Sequence, residues 1–140
     1  MKTIKFRGYN KKNNQWLYGF YLQNRGEHFV CPDEFATGKS WEDYEVDPTS
    51  VGQFTDLLDD REQPIYEGDI VEATSLRWQD KGRKMLVQIV YNEGFACFDF
   101  NASDRLRHIN TSILDVGLEI VGNIYDNPEI LKKLWVKETT

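Results

Sequence analysis

The chain has 140 residues, a formal charge of −6, 40% hydrophobic and 14% aromatic residues, enough for one compact domain, or one with a smaller lobe, and for a core of its own. That balance excludes disorder throughout and argues against a protein that wraps duplex phosphate by bulk charge. Two cysteines cannot build a disulfide scaffold, and there is no apolar leader and no run of ~18 apolar residues, so the expectation is a soluble, reduced, cytoplasmic protein with no membrane segment.

In chain order, Thr3 to Arg7 places Ile4 and Phe6 on one face and Lys5 and Arg7 on the other. Trp16, Tyr18, Phe20 and Leu22 then recur at period two, and the polar stretch from Asn10 to Gln15 between the runs reads as a hairpin loop. His28 to Cys31 adds a third short strand that stops at Pro32, which has no N–H to donate. Asp33 to Asp47 carries no clear period. Val51 to Thr55 reads as a strand entry, and Leu57 to Pro64 as a polar turn.

The second half is more regular. Ile65 to Thr74 reads as a Gly-punctuated strand and Met85 to Tyr91 as a β-branched one. Between them, Ser75 to Lys84 is an exposed hairpin loop carrying Arg77, Trp78, Lys81, Arg83 and Lys84. Asn92, Glu93 and Gly94 turn the chain into Phe95 to Phe100, where Phe98 and Phe100 alternate with Cys97 and Asp99. Glu119 to Tyr125 is the last strand. Asn127 as cap, Pro128 at the first helical position and the apolar stripe Ile130, Leu131, Leu134 and Trp135 predict a short C-terminal helix.

Charge is zoned. Met1 to Leu22 holds five basic residues and no acidic one, whereas Glu42 to Glu72 holds eleven acidic residues and only Arg61 as a base. Such zones read as solvated faces that attract each other within or between subunits.

No arrangement for catalysis stands out. His28 and Cys31 are three apart, which on a strand sends them to opposite faces. His28, Cys31, Cys97 and His108 are zinc-type ligands without zinc-type spacing. Asp56, Asp59, Asp60 and Glu62 lack the Gly and terminal Glu of a calcium loop. No Walker or GxGxxG pattern occurs. The expectation is no enzyme, no catalytic residues, no metal and no cofactor. Two basic surfaces interleave aromatics. The first hairpin carries Lys5, Arg7, Lys11, Lys12, Trp16 and Tyr18; the stronger surface is the 75–84 loop, where Trp78 sits among Arg77, Lys81, Arg83 and Lys84.

The segments IKFRGYN (Ile4 to Asn10), WLYGFY (Trp16 to Tyr21), VGQFTDL (Val51 to Leu57), PIYEGDIVEA (Pro64 to Ala73) and EIVGNIYDNPEIL (Glu119 to Leu131) together resemble the YopX family of phage and prophage proteins. The resemblance implies a mainly β protein encoded by a phage or prophage. It also implies a single unit over 1–140, with an N-terminal β-hairpin region to about residue 50, an SH3-like small barrel from about residue 51, and a short C-terminal α-helix. It brings no catalytic residues. Members of the family usually carry a basic Asn-Gly turn before the YEGDIV strand; here Asp56, Leu58, Asp59, Asp60, Arg61 and Glu62 stand in its place, and the easy positive-φ turn is gone. The reading that follows is a non-enzymatic accessory protein acting through self-association or another protein. The alternative is a single-stranded nucleic-acid binder using the 75–84 loop.

Overall fold

A computed structural model describes residues 3–34, 37–76, 78–79, 81–102 and 116–130. The chain divides into two compact units, Met1–Asp56 and Leu57–Thr140. It is mostly β, in antiparallel sheets, with one short helix starting near the C-terminus.

In the first unit, β1 (Phe6–Asn10), β2 (Gln15–Asn24), β3 (Glu27–Cys31) and β4 (Gly52–Leu58) lie in the order β3-β2-β1-β4. β4 straddles the division between the units. The predicted period-two face of β2 does not survive as one face. Residues 15–19 pair with β1 and residues 20–24 with β3, and Leu17 and Leu22 both pack on the cluster of Phe29, Cys31 and Tyr44. Five residues apart on a regular strand, they would face opposite ways. The strand therefore turns over between them, leaving Tyr18 and Phe20 exposed. Gly19 permits this, since a Cβ there would lie 1.8 Å from the Cys31 carbonyl oxygen.

The segment after Pro32, unreadable from its sequence, forms two single 3-10 turns, Trp41–Asp43 and Pro48–Ser50. It is tied down by one fully buried side chain. Asn10 Nδ2 donates to the carbonyls of Glu42 (3.1 Å) and Glu45 (2.8 Å), while its Oδ1 accepts from Asn13 N (2.7 Å). Every polar atom of the amide is satisfied, as burial requires. The same segment runs along β3, where Val30 N donates to Tyr44 O (3.0 Å) and Val46 N to His28 O (2.9 Å).

In the second unit, β5 (Pro64–Tyr66) is followed by β6 (Asp69–Ser75), β7 (Lys84–Asn92), β8 (Cys97–Ala102) and β9 (Val116–Asn123). The last four form a sheet in the order β8-β7-β6-β9. The Gly-punctuated strand predicted over Ile65 to Thr74 is two strands, because Tyr66 to Asp69 is a turn: Gly68 has φ +93° and the buried Asp69 carboxylate accepts from Tyr66 N (2.7 Å). One face of the sheet packs Val71, Ala73, Val87, Ile89 and Leu118 with Ile65, and Phe100 and Ile120 close its margin.

The strand expected from Phe95 starts two residues later. Asn92 Oδ1 accepts from Gly94 N and Phe95 N, and Ala96 takes a left-handed φ of 52°, so Phe95 belongs to the turn. At the C-terminus Pro128, Glu129 and Ile130 are helical; Leu131, Leu134 and Trp135 of the expected stripe lie outside the described residues. Asn127 does not cap as predicted. Its Oδ1 accepts from Asn123 N (3.2 Å) instead, which turns it back onto the end of β9.

Candidate functional site

Most of the residues that chemistry singled out serve the fold. His28 and Cys31 on β3 point apart. The His28 Nδ1 is hydrogen-bonded to the Tyr21 hydroxyl, which also accepts from Gln23 Nε2 (2.7 Å), and the two rings stack at 5.8 Å. Cys31 is buried with Phe29 and Tyr44, and burial pushes its thiol up, away from the reactive thiolate. Cys97 is exposed on β8 and His108 lies outside the described residues. Among the described residues no group of three or more His, Cys, Asp or Glu is placed to hold a metal ion.

The acidic turn is partly a structural clamp rather than a solvated face. Asp59 is 5% exposed. Its Oδ1 accepts from Arg61 N and Gln63 N (both 2.9 Å), and its Oδ2 accepts from Ile120 N on β9 (3.1 Å). Burial opposes the charge, but the amides of Gln63, Ile120 and Arg61 outweigh it and hold the carboxyl below its ordinary range. Neighbouring groups finish the contact: Asp60 N donates to Leu118 O (2.8 Å) and Arg61 Nη2 to Ile120 O (3.0 Å). In the stretch that stands in place of the Asn-Gly turn, Asp56 (φ 72°) and Glu62 (φ 63°) take positive φ.

The opposite charge zones of the sequence meet inside the first unit. Lys11 pairs with Asp47 (3.1 Å), and Lys12 with Asp43 (3.2 Å) and Glu42 (3.7 Å). Asp43 also accepts from Ser40 N (2.9 Å) and Asn13 Nδ2 (3.1 Å). The Ser40 amide first, then Asn13 and Lys12, hold its carboxyl far below the usual range. Lys11, Lys12, Glu42 and Asp47 border an open groove of about 410 Å³ that includes Asn10, Glu45 and Pro48. Its cations are already paired with its anions, so it offers a ligand little unspent charge.

The 75–84 loop is different. It caps the β6–β7 hairpin, whose register runs from Ile70 opposite Gln88 to Thr74 opposite Lys84. Ser75 N donates to Arg83 O (2.8 Å) and Gly82 N to Ser75 O (2.9 Å), extending the ladder to the base of the tip. There Trp78 is 86% exposed, the most exposed large hydrophobic among the described residues. Lys81, Arg83 and Lys84 are exposed beside it, Lys84 leaning back to Glu72 (3.4 Å). Arg77, the fifth residue of this expected surface, lies outside the described residues. On the other basic surface, Arg7 is buried with its guanidinium 4.8 Å from the Trp16 ring. Lys5 lies over Tyr18 at 5.8 Å. On that surface Lys5 and Arg7 are engaged by its own rings, and Lys11 and Lys12 by carboxylates.

One exposed aromatic surface was missed by the sequence reading. At the β7–β8 turn Phe95 is 71% and Tyr91 45% exposed, and Tyr91 meets Phe98 edge to face at 5.5 Å. The signal available was the four-residue spacing between Asn92 and Cys97, a hairpin loop length that puts Phe95 in the turn.

A family model described as YopX protein matches residues 5–132. The chain belongs to the YopX family. A crystal structure of protein EF1440 from Enterococcus faecalis superimposes on this YopX-family chain with a TM-score of 0.57 at 22% identity, covering 94% of this chain and 99% of the other. That likeness supports the fold and nothing finer. No curated protein matches significantly. The family's motif segments coincide with the fold-making contacts just described: Asn10 in the first, Asp69 in the fourth, Asn123 and Asn127 in the last.

Proposed function

We propose that the chain is a non-enzymatic accessory protein of phage or prophage origin, acting in the host cytoplasm by binding another macromolecule, with the β6–β7 hairpin tip as its contact element. In this reading the second unit is an SH3-like small barrel that presents the tip. The observation that carries the proposal is Trp78: a tryptophan left 86% exposed beside Lys81 and Arg83 has the composition of a binding hot spot. The polar groups that would otherwise suggest chemistry are engaged by backbone amides or each other. Among the described residues no helix is long and apolar enough to cross a membrane.

The test is a triple variant, Trp78→Ala with Lys81→Glu and Arg83→Glu, compared with the natural chain by light scattering and by binding of a labelled single-stranded oligonucleotide. Loss of association with an unchanged unfolding midpoint supports the reading; association untouched by the triple change overturns it.

A second reading makes the ligand single-stranded nucleic acid. It is favoured by the four basic residues Arg77, Lys81, Arg83 and Lys84 that flank Trp78 within ten positions of an otherwise acidic chain. Oligonucleotide binding that weakens as salt rises and is lost in the triple variant would establish it over protein contact.

A further inference from the structure

We propose that the β7–β8 turn is the docking surface for the β6–β7 tip of a second copy of this chain, so that copies associate head to tail. This rests on reading the β6–β7 hairpin as a contact element and names its partner. The two most exposed large hydrophobics of the second unit, Trp78 and Phe95, stand at the two ends of β7, Lys84–Asn92. A strand of that length separates them by about 27 Å, so a single contact between copies cannot cover both. The ends also differ in sign. Trp78 is followed in its loop by Lys81 and Arg83, while Phe95 is preceded in its turn by Glu93.

The receiving surface is preformed. Asn92 Oδ1 fixes the turn through Gly94 N (3.0 Å) and Phe95 N (3.3 Å), and the edge-to-face pair of Tyr91 and Phe98 provides a ledge beside Phe95. An indole stacks on such rings while its flanking cations meet the Glu93 carboxylate. Fixing the turn beforehand removes ordering cost from the contact. Because the two surfaces are unlike and lie at opposite ends of β7, each contact is tip to turn; two copies lying antiparallel make it twice about a two-fold axis, and copies in any other arrangement propagate it as rings or open chains. A tip-sized contact belongs to the weak, concentration-dependent class.

Charge reversal tests this directly. Lys81→Glu with Arg83→Glu makes both ends of a copy acidic, and Glu93→Lys makes both ends basic. By sedimentation velocity each variant alone is expected to lose self-association about tenfold, and an equimolar mixture to regain it, because acidic ends then meet basic ones. Phe95→Ser, in the turn and outside the packed core, is expected to weaken association as Trp78→Ala does. Wild type that stays monomeric at all concentrations, or reversed variants that associate normally, overturns the proposal. If Trp78→Ala abolishes association or oligonucleotide binding while Phe95→Ser and the mixture have no effect, the hairpin remains a contact element and the second-copy partner is refuted.

Discussion

Asp59 shows how a residue can be misread from its neighbours. Among Asp56, Asp60 and Glu62 it looks like part of a solvated acidic run, yet three backbone amides from two segments converge on its carboxylate. Nothing local in the sequence shows this, because the Ile120 amide comes from a strand sixty-one residues away. Asp59→Asn replaces one acceptor oxygen by a donor that meets an N–H. We expect a loss of about 1–3 kcal/mol, read as a lower denaturation midpoint with an unchanged denaturant slope. Two other residues are strained in a way that can be relieved. Arg25 occupies the first position of the two-residue turn between β2 and β3 at φ 53°, followed by Gly26 at φ 79°. That is the pattern of a type I′ turn, in which Asn is preferred. Arg25→Asn should raise stability by about 0.5–1 kcal/mol. Glu62→Gly should gain less, since glycine's freedom in the unfolded chain offsets part of the relief.

At the level of elements, the strands of the second unit were legible as runs rich in β-branched residues, with Val71, Val87 and Ile89 in strands as read, whereas the last strand, read from Glu119, begins at Val116 and so includes the core residue Leu118. The failures have tertiary causes. β2 keeps its length but loses its face at Gly19, where a neighbouring carbonyl approaches. Asn127 has the sequence of a helix cap but bonds backward to β9. The end of β9 also depends on Gly122, whose added Cβ would lie 2.5 Å from Asn127 Oδ1 and 3.2 Å from Ile130 Cδ1. Moving that amide breaks its bond to Asn123 N. Gly122→Ala is expected to cost about 1–3 kcal/mol, checked by thermal unfolding; an unchanged midpoint would show that the junction yields freely. The edges of the strands are guarded by the same contacts: residues 44–46 run along β3, and Asp59, Asp60 and Arg61 cover Leu118 to Ile120 of β9. Covering these two edges discourages indiscriminate strand pairing there. The 75–84 loop was legible as exposed. The β7–β8 aromatic tip was not, since Phe95 reads as the start of a strand until the turn is seen to include it.

For the whole molecule, charge sets the response to acid. The Asp43 and Asp59 carboxyls are both held below their ordinary values, so their contribution is complete above the unfolded carboxyl value of about 3.9. It is lost as pH falls from there through each depressed folded value. Half-buried Glu67, pushed up by desolvation, acts in the opposite sense, binding its proton more tightly in the folded chain. With two groups against one among the described residues, the unfolding midpoint should fall as pH drops below about 4, and the Asp59→Asn variant should fall less steeply. Lys11 and Lys12, which pair with Asp47 and Asp43, are exposed and their charge is screened, so salt should change the midpoint little. In the proposed association the basic tip is the charged party, so salt should weaken it. The decisive measurement is light scattering on the purified chain, alone and with a labelled single-stranded oligonucleotide, at low and moderate salt, for wild type and Trp78→Ala/Lys81→Glu/Arg83→Glu. Salt-sensitive association by the wild type that the variant lacks, at equal thermal stability, is the predicted result; equal association by both proteins would contradict the assignment of contact to the β6–β7 hairpin.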